Sequence, residues 1–270
     1  MRLATFNVLH GRSVHDGVID PQRLATAVSA LDADVLALQE VDRGQARSGH
    51  LDLTAVAAEA MGAVDYRFVA ALVGTPGASY RRVMTDDEGA DEPNYGIGLL
   101  SRFPVRSWRV LRLSPSPVPG PIMAVGPSGR GKVVLLPDEP RVMVVAVLAT
   151  PVGEVTVGAT HLSFVPGWNV GQLRRAVRFL RALPAPRLLL GDLNLPSRVA
   201  GLASGWRPLG RLPTFPSPAP KVQLDHVLAD PRGWRRLPAR GMVSTPEVGV
   251  SDHRPLVVDL RGGAGDQGAR

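Results

Sequence analysis

The chain has 270 residues, of which 44% are hydrophobic and only 5% aromatic, and it carries a formal net charge of +7. The absence of cysteine excludes disulfide bonds, thiol catalysis and cysteine-ligated zinc sites. A basic chain attracts phosphate-rich partners such as nucleic acid or anionic lipid headgroups. Nearly all of its basic residues are Arg, however, as in proteins encoded by GC-rich genes, so the charge is weak evidence for such a partner.

The N-terminus, MRLATFNVLHG, is predicted to begin with a strand and lacks the apolar segment and cleavage site of a signal peptide. The longest apolar run covers residues 142–149 and is too short to cross a bilayer. We therefore expect a cytoplasmic protein without a membrane span.

Short apolar runs of strand length recur from one end of the chain to the other. Most are nearly continuous, which is typical of sheets buried on both faces. The predicted strands cover residues 3–9, 34–40, 66–72, 96–101, 107–113, 141–149, 154–162, 187–193, 223–229 and 255–260.

Two helices are predicted between the strands. Residues 20–33 begin with Asp20 and Pro21, a favourable N-cap and first-turn pair, and their apolar side chains fall on one face. Residues 167–183 also have an apolar stripe. We interpret the arginines around the rest of that helix as a solvated face rather than a nucleic-acid patch. They are Arg174, Arg175, Arg178 and Arg181.

The least regular segment, residues 114–140, has seven prolines and is predicted to be a long loop or insertion. The strand patterns on both sides of it belong to one organisation, and there is no internal repeat. We therefore predict a single α/β domain over residues 1–262, with mixed sheets and peripheral helices, and a disordered tail at 263–270.

Polar side chains recur where the predicted strands end, a position from which a rigid scaffold presents residues to a cleft. Any one of them is typical of a residue that caps a turn. Their repetition at the same structural position favours a functional site. The residues are Asn7, Glu40, His161, Asp192, Asn194, Asp225, His226, Asp252 and His253.

The residue types in this set indicate metal-assisted chemistry. Glu40, Asp192 and Asp252, with Asn7 and Asn194, offer oxygen ligands that suit a hard cation, Mg²⁺ or alternatively Mn²⁺. Zinc fits less well, because cysteines are absent and the histidines lack metalloprotease spacing. A hard cation beside two histidines is a workable device for hydrolysing a phosphate ester.

Seven motifs follow, in order, those of the endonuclease/exonuclease/phosphatase superfamily, which the sequence resembles from about residue 2 to residue 260. They are FNVLHG, ALQEVD, GIGLLSRFPV, THL, GDLN, LDHVL and SDHRPLVVDL. That superfamily includes DNase I-like nucleases, AP endonucleases, sphingomyelinases and inositol-polyphosphate phosphatases. The resemblance implies a DNase I-like, four-layer α/β sandwich, in which two packed mixed β-sheets are flanked by helices.

The resemblance also implies roles for two residues of the GDLN motif and for the residues of the metal site. Glu40 is the implied main metal ligand, with Asn7 and Asp252 completing or supporting the site. Asp192 resembles the aspartate that orients or deprotonates water, and Asn194 resembles its phosphate-contacting neighbour.

The histidines take different implied roles. His253 resembles the histidine that faces the scissile phosphate, and Asp225 the carboxylate that orients it and favours its charged form. His226 is on the opposite face of a strand, and we interpret it as structural. His161 is at the THL position, where several branches supply a second catalytic histidine and AP endonucleases have a tyrosine-containing motif. His161 therefore argues against an abasic-site enzyme. Leu9 agrees, because AP endonucleases tend to carry a polar or acidic residue two places after the asparagine.

We expect a Mg²⁺-dependent phosphoesterase of undetermined substrate, acting as a monomer on a phosphoester such as nucleic acid or a lipid headgroup. The main alternative is a DNase-type nuclease, which the basic charge favours and the scarcity of aromatics disfavours. The third hypothesis is a catalytically inactive phosphate-binding module. It is disfavoured because the set of acids, amides and histidines is complete. Phe164, Val165 and Trp168 are interpreted either as an apolar lip beside His161 or as a loop packed on the sheet.

Overall fold

The computed structural model describes residues 1–83, 92–125, 131–233, 237 and 239–261. Its strands are β1 (Arg2–Asn7), β2 (Val35–Arg43), β3 (Asp65–Gly74), β4 (Tyr80–Arg82), β5 (Asn94–Ser101), β6 (Val105–Leu113), β7 (Gly120–Val125), β8 (Gly131–Leu136), β9 (Arg141–Thr150), β10 (Gly153–His161), β11 (Arg187–Asp192), β12 (Arg207–Pro208), β13 (Asp225–Ala229), β14 (Ala239–Ser244) and β15 (Leu256–Arg261). Its α-helices are α1 (Pro21–Leu31), α2 (Leu53–Met61), α3 (Trp168–Arg181) and α4 (Ser197–Ser204). The tail predicted at 263–270 lies outside the described residues.

Two mixed sheets form the inner layers of the molecule. The first has the strand order β14-β15-β1-β2-β5-β3-β4, and the second has the order β12-β13-β11-β10-β9-β6. Each contains one parallel pair, β1 with β2 and β10 with β11, while the other pairings in both sheets are antiparallel. The predicted mixed sheets are confirmed.

The alternation of side chains along β2 shows how the four layers are built. Val35 and Ala37 point into the core between the two sheets, whereas Leu36 and Leu38 point outward against α1 and α2. The second sheet packs in the same way against α3 and α4. Strands buried on both faces need apolar residues at every position, which explains the continuous apolar runs. The predicted four-layer sandwich is confirmed.

The two predicted helices are present. Asp20 caps α1 by accepting a 2.8 Å hydrogen bond from the backbone N–H of Gln22. In α3 the four arginines are exposed, as expected for a solvated face. The sequence patterns missed α2 and α4, which are only nine and eight residues long. None of the helices within the described ranges is long and apolar enough to cross a membrane.

The segment predicted as a long loop or insertion, residues 114–140, contains regular structure. Strands β7 and β8 form an antiparallel hairpin there, with Pro121 opposite Leu135. The hairpin stands apart from both large sheets. Its two strands are therefore edges, where proline is tolerated because a missing N–H interrupts little of the ladder. Because of its prolines, the sequence patterns did not predict this hairpin.

The two parallel pairs bring polar residues from both sheets to one edge of the sandwich. Asn7 ends β1, next to Gln39 of β2, and His161 ends β10, next to Asp192 of β11. Strand β1 packs against β11 across the core. The carboxyl ends of all four strands thus meet at the same place, although they come from distant parts of the chain.

Gly191 holds β10 and β11 together at that edge. It has a φ of +147°, and a Cβ at this position would lie 1.9 Å from the backbone oxygen of Thr160. Only glycine allows so close an approach of the two backbones. The glycine of the GDLN motif is therefore required by the backbone, and it fixes Asp192 beside His161.

We predict that Gly191→Ala lowers the free energy of unfolding by about 3 kcal/mol or more, since β10 must separate from β11 to admit the methyl group. Urea denaturation measures this change. Gly171→Ala in α3 is the control, because nothing lies within 4 Å of its Cβ position and alanine favours a helix by up to about 1 kcal/mol. Equal stability of the two variants would contradict the close-approach explanation.

Candidate active site

Glu40 reaches the site because β2 is irregular at this residue. The pairing of β2 with β5 shifts register between Gln39 and Val41, and Glu40 has a φ of +57°. Without the irregularity Leu38 and Val41 would face opposite sides of the sheet, yet both pack toward the helices. The bulge therefore reverses the alternation and leaves the Glu40 carboxylate at the strand-end edge.

Two further site segments hold a non-glycine residue in the left-handed region. Asn194 has a φ of +49° and Ser251 a φ of +71°. Such conformations cost free energy and persist where the surroundings determine them, often at functional sites. Here the surroundings are specific, since the Ser251 hydroxyl donates a 2.6 Å hydrogen bond to the backbone oxygen of Asn7.

Asn7 connects the two sheets through its side-chain amide. Its Nδ2 donates to Glu40 Oε1 at 3.0 Å and to Asp192 Oδ2 at 3.2 Å. Its Oδ1 accepts from the backbone N–H of Leu9 at 3.2 Å. The amide thus presents the positive end of its dipole between two carboxylates.

Asp192 is the buried centre of the site. Its Oδ2 lies 3.6 Å from His161 Nε2 and 3.8 Å from His253 Nε2, and its Oδ1 accepts from the backbone N–H of Asn194 at 2.9 Å. Burial raises the pKa of Asp192 to about 7, against the opposing effect of the positive charge on His253. Three side chains, those of Asn7, His161 and His253, converge on a single carboxylate oxygen.

His161 is held neutral with its proton on Nε2. Its Nδ1 lies 3.2 Å from Nη1 of Arg141, and a guanidinium only donates, so Nδ1 accepts. Burial and the nearby charge of Arg141 lower the pKa of His161 well below its usual range. The Nε2–H therefore points toward Asp192 and the open side of the site.

Asn194 places a second donor beside that Nε2–H. Its Nδ2 donates to the backbone oxygen of Leu162 at 3.0 Å, which sets the orientation of the amide. The same Nδ2 lies 3.2 Å from His161 Nε2. Two N–H groups side by side do not bond to each other, but together they offer two donors to an oxyanion.

His253 is the charged histidine of the site. Its Nδ1 donates to Asp225 Oδ2 at 2.8 Å, and its ring packs against Phe215 with the ring centroids 4.9 Å apart. Burial lowers the pKa of His253, but the charges of Asp225 and Asp192 outweigh that effect and raise it to about 10. His253 is therefore an imidazolium whose Nε2–H faces Asp192.

Asp252 joins the site from the side. It is half-buried, and its Oδ1 lies 3.4 Å from the hydroxyl of Ser251. Its charge also acts on His253, whose pKa it helps to raise. The structure thus gathers at one edge all eight residues that the sequence singled out for catalysis or metal binding. Their individual roles stay predictions.

His226 lies on the other side of its strand. It is fully buried, and its Nε2 donates to the backbone oxygen of Leu195 at 2.7 Å, among residues that pack toward α3 and α4. Burial lowers the pKa of His226 to about 4. This histidine is a neutral part of the fold, as the strand alternation indicated.

The loop after His161 packs on its neighbours. Val165 is buried, and both Phe164 and Val165 contact Gly120 at the start of β7. Trp168 is 37% exposed and donates from Nε1 to the backbone oxygen of Ser114 at 3.0 Å. These contacts favour the packed-loop interpretation over an apolar lip.

Three residues of the site were missed by the sequence patterns. Arg141 contacts His161, while Tyr95 and Glu139 lie near Glu40, whose charge adds to the larger effect of burial in raising the pKa of each. Arg141 and Tyr95 lie at or near the start of a strand, not its end. The first residues of an antiparallel strand share an edge with the last residues of its partner, and this rule locates them.

The site offers a hard cation a chemically suitable place. Among the described residues, the ligand atoms of Asp192, Asp225 and His253 lie within 4.8 Å of one another. His253 is a poor ligand there, because its Nδ1 bonds Asp225 and its ring is charged. The carboxylates of Glu40 and Asp192 instead both accept from the Asn7 amide. A cation bound between them would reduce the repulsion of their negative charges.

A two-sheet sandwich with this set of acids, amides and histidines defines a class of phosphoester-hydrolysing proteins. The chain belongs to the Endonuclease/Exonuclease/phosphatase family, whose model matches residues 4–253. The resemblance drawn from the seven motifs is thereby confirmed. No curated protein matches the chain.

Solved structures of the family share the fold. An endonuclease/exonuclease/phosphatase from Beutenbergia cavernae DSM 12333 is 24% identical, with a TM-score of 0.62 over 98% of this chain and 72% of that one. A mannosyl-6-phosphatase from Bacteroides thetaiotaomicron VPI-5482 is 17% identical, with a TM-score of 0.58 over 97% and 99%. Sphingomyelinase C from Streptomyces griseocarneus is 18% identical, with a TM-score of 0.55 over 96% and 98%.

We predict that His226 makes the fold sensitive to acid. Its folded pKa of about 4 is below its ordinary value of 6.5, so the unfolded chain binds a proton first as the pH falls. The free energy of unfolding therefore decreases between about pH 6.5 and pH 4, by roughly 3 kcal/mol from this residue. Above pH 6.5 the residue contributes no pH dependence.

The test compares urea denaturation of the wild type and His226→Gln from pH 8 to pH 4 in EDTA. The variant keeps an N–H donor but does not titrate, so its curve should be flatter in that window. His15→Gln is the control because His15 is exposed. A curve for His226→Gln that runs parallel to the wild type would contradict the prediction.

Proposed function

We propose that the chain is a metal-dependent phosphoesterase that hydrolyses a phosphate ester at the edge occupied by Asp192. The observation that carries the proposal is the convergence of His161 Nε2 and His253 Nε2 on Asp192 Oδ2, at 3.6 and 3.8 Å. A buried carboxylate between one neutral and one charged histidine combines a base with two donors. Hydrolysis of a phosphoester needs both.

Asp192 is the proposed base. Its pKa of about 7 gives it the basicity to take a proton from water near neutral pH. Asn7 and the backbone N–H of Asn194 fix the position of its two oxygens. Water held by Oδ2 is therefore oriented toward the region that the two histidines face.

The donors around that region stabilise negative charge on the phosphate. His161 and Asn194 offer neighbouring N–H groups, and His253 offers an N–H together with a full positive charge. Such preorganised donors act strongly where water is excluded, and His161 and His253 are 7% and 6% exposed. Asp225 is a positioning residue, since it orients His253 and keeps it charged.

Glu40, with Asn7 and Asp252, is the proposed holder of Mg²⁺, or alternatively Mn²⁺, and Asp192 lies next to this group. When bound, such a cation neutralises phosphate charge and polarises the ester for attack. The carboxylates of Glu40 and Asp192 support its presence, because both accept from the Asn7 amide and a cation between them would reduce the repulsion of their negative charges.

We predict that Glu40→Gln weakens binding of Mn²⁺, the calorimetric probe, at least tenfold, because even second-shell changes at metal sites cost about 10–100-fold in affinity. Hydrolysis of bis(4-nitrophenyl) phosphate should fall with it. EDTA should silence the wild type, and excess Mg²⁺ should restore it.

Glu154→Gln, at the exposed start of β10, is the matched control and should behave as the wild type. Full hydrolysis in EDTA, or unchanged Mn²⁺ affinity in Glu40→Gln, would reject the metal site. A wild type that binds metal but hydrolyses no member of a substrate panel would favour the inactive phosphate-binding module. The panel is plasmid DNA, abasic duplex, RNA, sphingomyelin, inositol phosphates and the aryl diester.

We predict that Asp225→Asn and His253→Ala act as one unit. His253→Ala should lower kcat by two to four orders of magnitude, the usual effect of removing such a group. Asp225→Asn should cost much of the same, and the double variant should be little worse than the worse single variant. Steady-state kinetics on the aryl diester measures the cycle. Additive losses would show that Asp225 serves the fold and not the histidine.

A further inference from the structure

A cavity of about 120 Å³ is lined in part by Arg141, the residue that contacts His161. Three arginines line it, Arg82 of β4, Arg112 of β6 and Arg141 of β9. Its other walls include Val83, Leu113 and Pro140, and no acidic side chain is among its described lining residues. Among its described lining residues only Arg141 belongs to the candidate active site, so the cavity adjoins that site without sharing the proposed metal ligands or catalytic residues.

Arg141 is a buried guanidinium with incomplete hydrogen bonding. The residue is only 7% exposed. Its Nη1 contacts His161, its Nη2 lies 3.6 Å from Asp138 Oδ1, beyond hydrogen-bond distance, and its Nε has no hydrogen-bond partner among the described residues. A buried donor without an acceptor costs free energy, and a charged one costs more. Arg141 thus joins the wall of the cavity to the imidazole of His161, and Asp138 is its ion-pair partner.

The charge and size of the cavity indicate the ligand. Arg112 is held in place by a 2.9 Å hydrogen bond from Nη1 to the backbone oxygen of Ala70. Arginine forks match the oxygens of a phosphate group and bind it through several hydrogen bonds at once. The apolar walls strengthen such contacts by excluding water, and the volume exceeds that of a single water molecule.

We propose that this cavity binds a second phosphate group of the substrate, one that is not hydrolysed. The inference rests on the proposed function and narrows its substrate class to phosphoesters that carry another phosphate on the same molecule. Arg141 connects the two places, since it contacts His161 at 3.2 Å and also lines the cavity. Arg141 thereby links occupation of the cavity to the position of a site histidine.

A binding experiment tests the cavity without turnover. Inorganic phosphate is titrated by calorimetry in EDTA, and the affinity lost in an Arg82 variant reports the part of the binding that comes from the arginine cavity. We expect the wild type to bind it, Arg82→Gln to weaken binding about tenfold or more, and Arg82→Lys to retain part of it. Arg106→Gln removes an equal charge at the opposite, exposed end of β6 and should leave the affinity unchanged. Equal affinities in Arg82→Gln and Arg106→Gln would overturn the proposal, whether or not the protein proves to be a hydrolase.

A kinetic experiment distinguishes a phosphate of the substrate from a free anion. The probes are thymidine 5′-(4-nitrophenyl phosphate) and the same compound with a 3′-phosphate, which differ only in the second phosphate. We expect the wild type to have at least a tenfold higher kcat/KM for the phosphorylated probe and Arg82→Gln to lose most of that preference through KM. Phosphate binding without such a preference would overturn the assignment to the substrate. Melting curves of each variant confirm that the fold is intact.

Discussion

The site depends on the burial of one carboxylate, that of Asp192, which is 1% exposed. A buried charge is tolerated only when partners surround it, and here the partners come from both sheets: Asn7 from β1, His161 from β10 and His253 from the loop before β15. The same burial gives Asp192 the basicity that the proposed reaction requires. Folding stability and the proposed reaction therefore depend on the same contacts of Asp192. Loss of any one partner affects both.

The two sheets contribute unlike halves to this arrangement. The first sheet supplies Asn7 and Glu40, whose oxygen atoms suit a cation. The second supplies His161 and Asp192, with Asn194 following directly in the chain. The proposed metal ligands Asn7 and Glu40 thus come from the first sheet, whereas the donors come from the second sheet (His161 and Asn194) and from the loop before β15 (His253). Close approach of β10 and β11 at Gly191 keeps the second half in register with the first.

Much of this could be predicted from the sequence, because parallel strands deliver their last residues to a common edge and the motifs fall at those positions. Arg141 and Tyr95 could not be found in that way. They lie at or near the start of antiparallel strands, inside runs that read as plain core, and only the pairing partner shows that they reach the same edge. The bulge at Glu40 could not be predicted either. It is recognised only because the side chains of Leu38 and Val41 pack on the same face of the sheet. The β7–β8 hairpin was concealed by prolines that an isolated two-stranded ribbon accepts.

The left-handed conformation of Glu40 has a consequence for how this chain can change over evolutionary time. Glycine adopts a φ of +57° more readily than glutamate does, so selection for folding stability alone would favour glycine at this position by about 1 kcal/mol. Glutamate at this position therefore carries a conformational cost that glycine would not, set against the hydrogen bond that its carboxylate accepts from Asn7. Drift in a copy of this chain released from its proposed catalytic role should therefore remove this carboxylate early, and such descendants would fold better than their ancestor while having lost the proposed metal site.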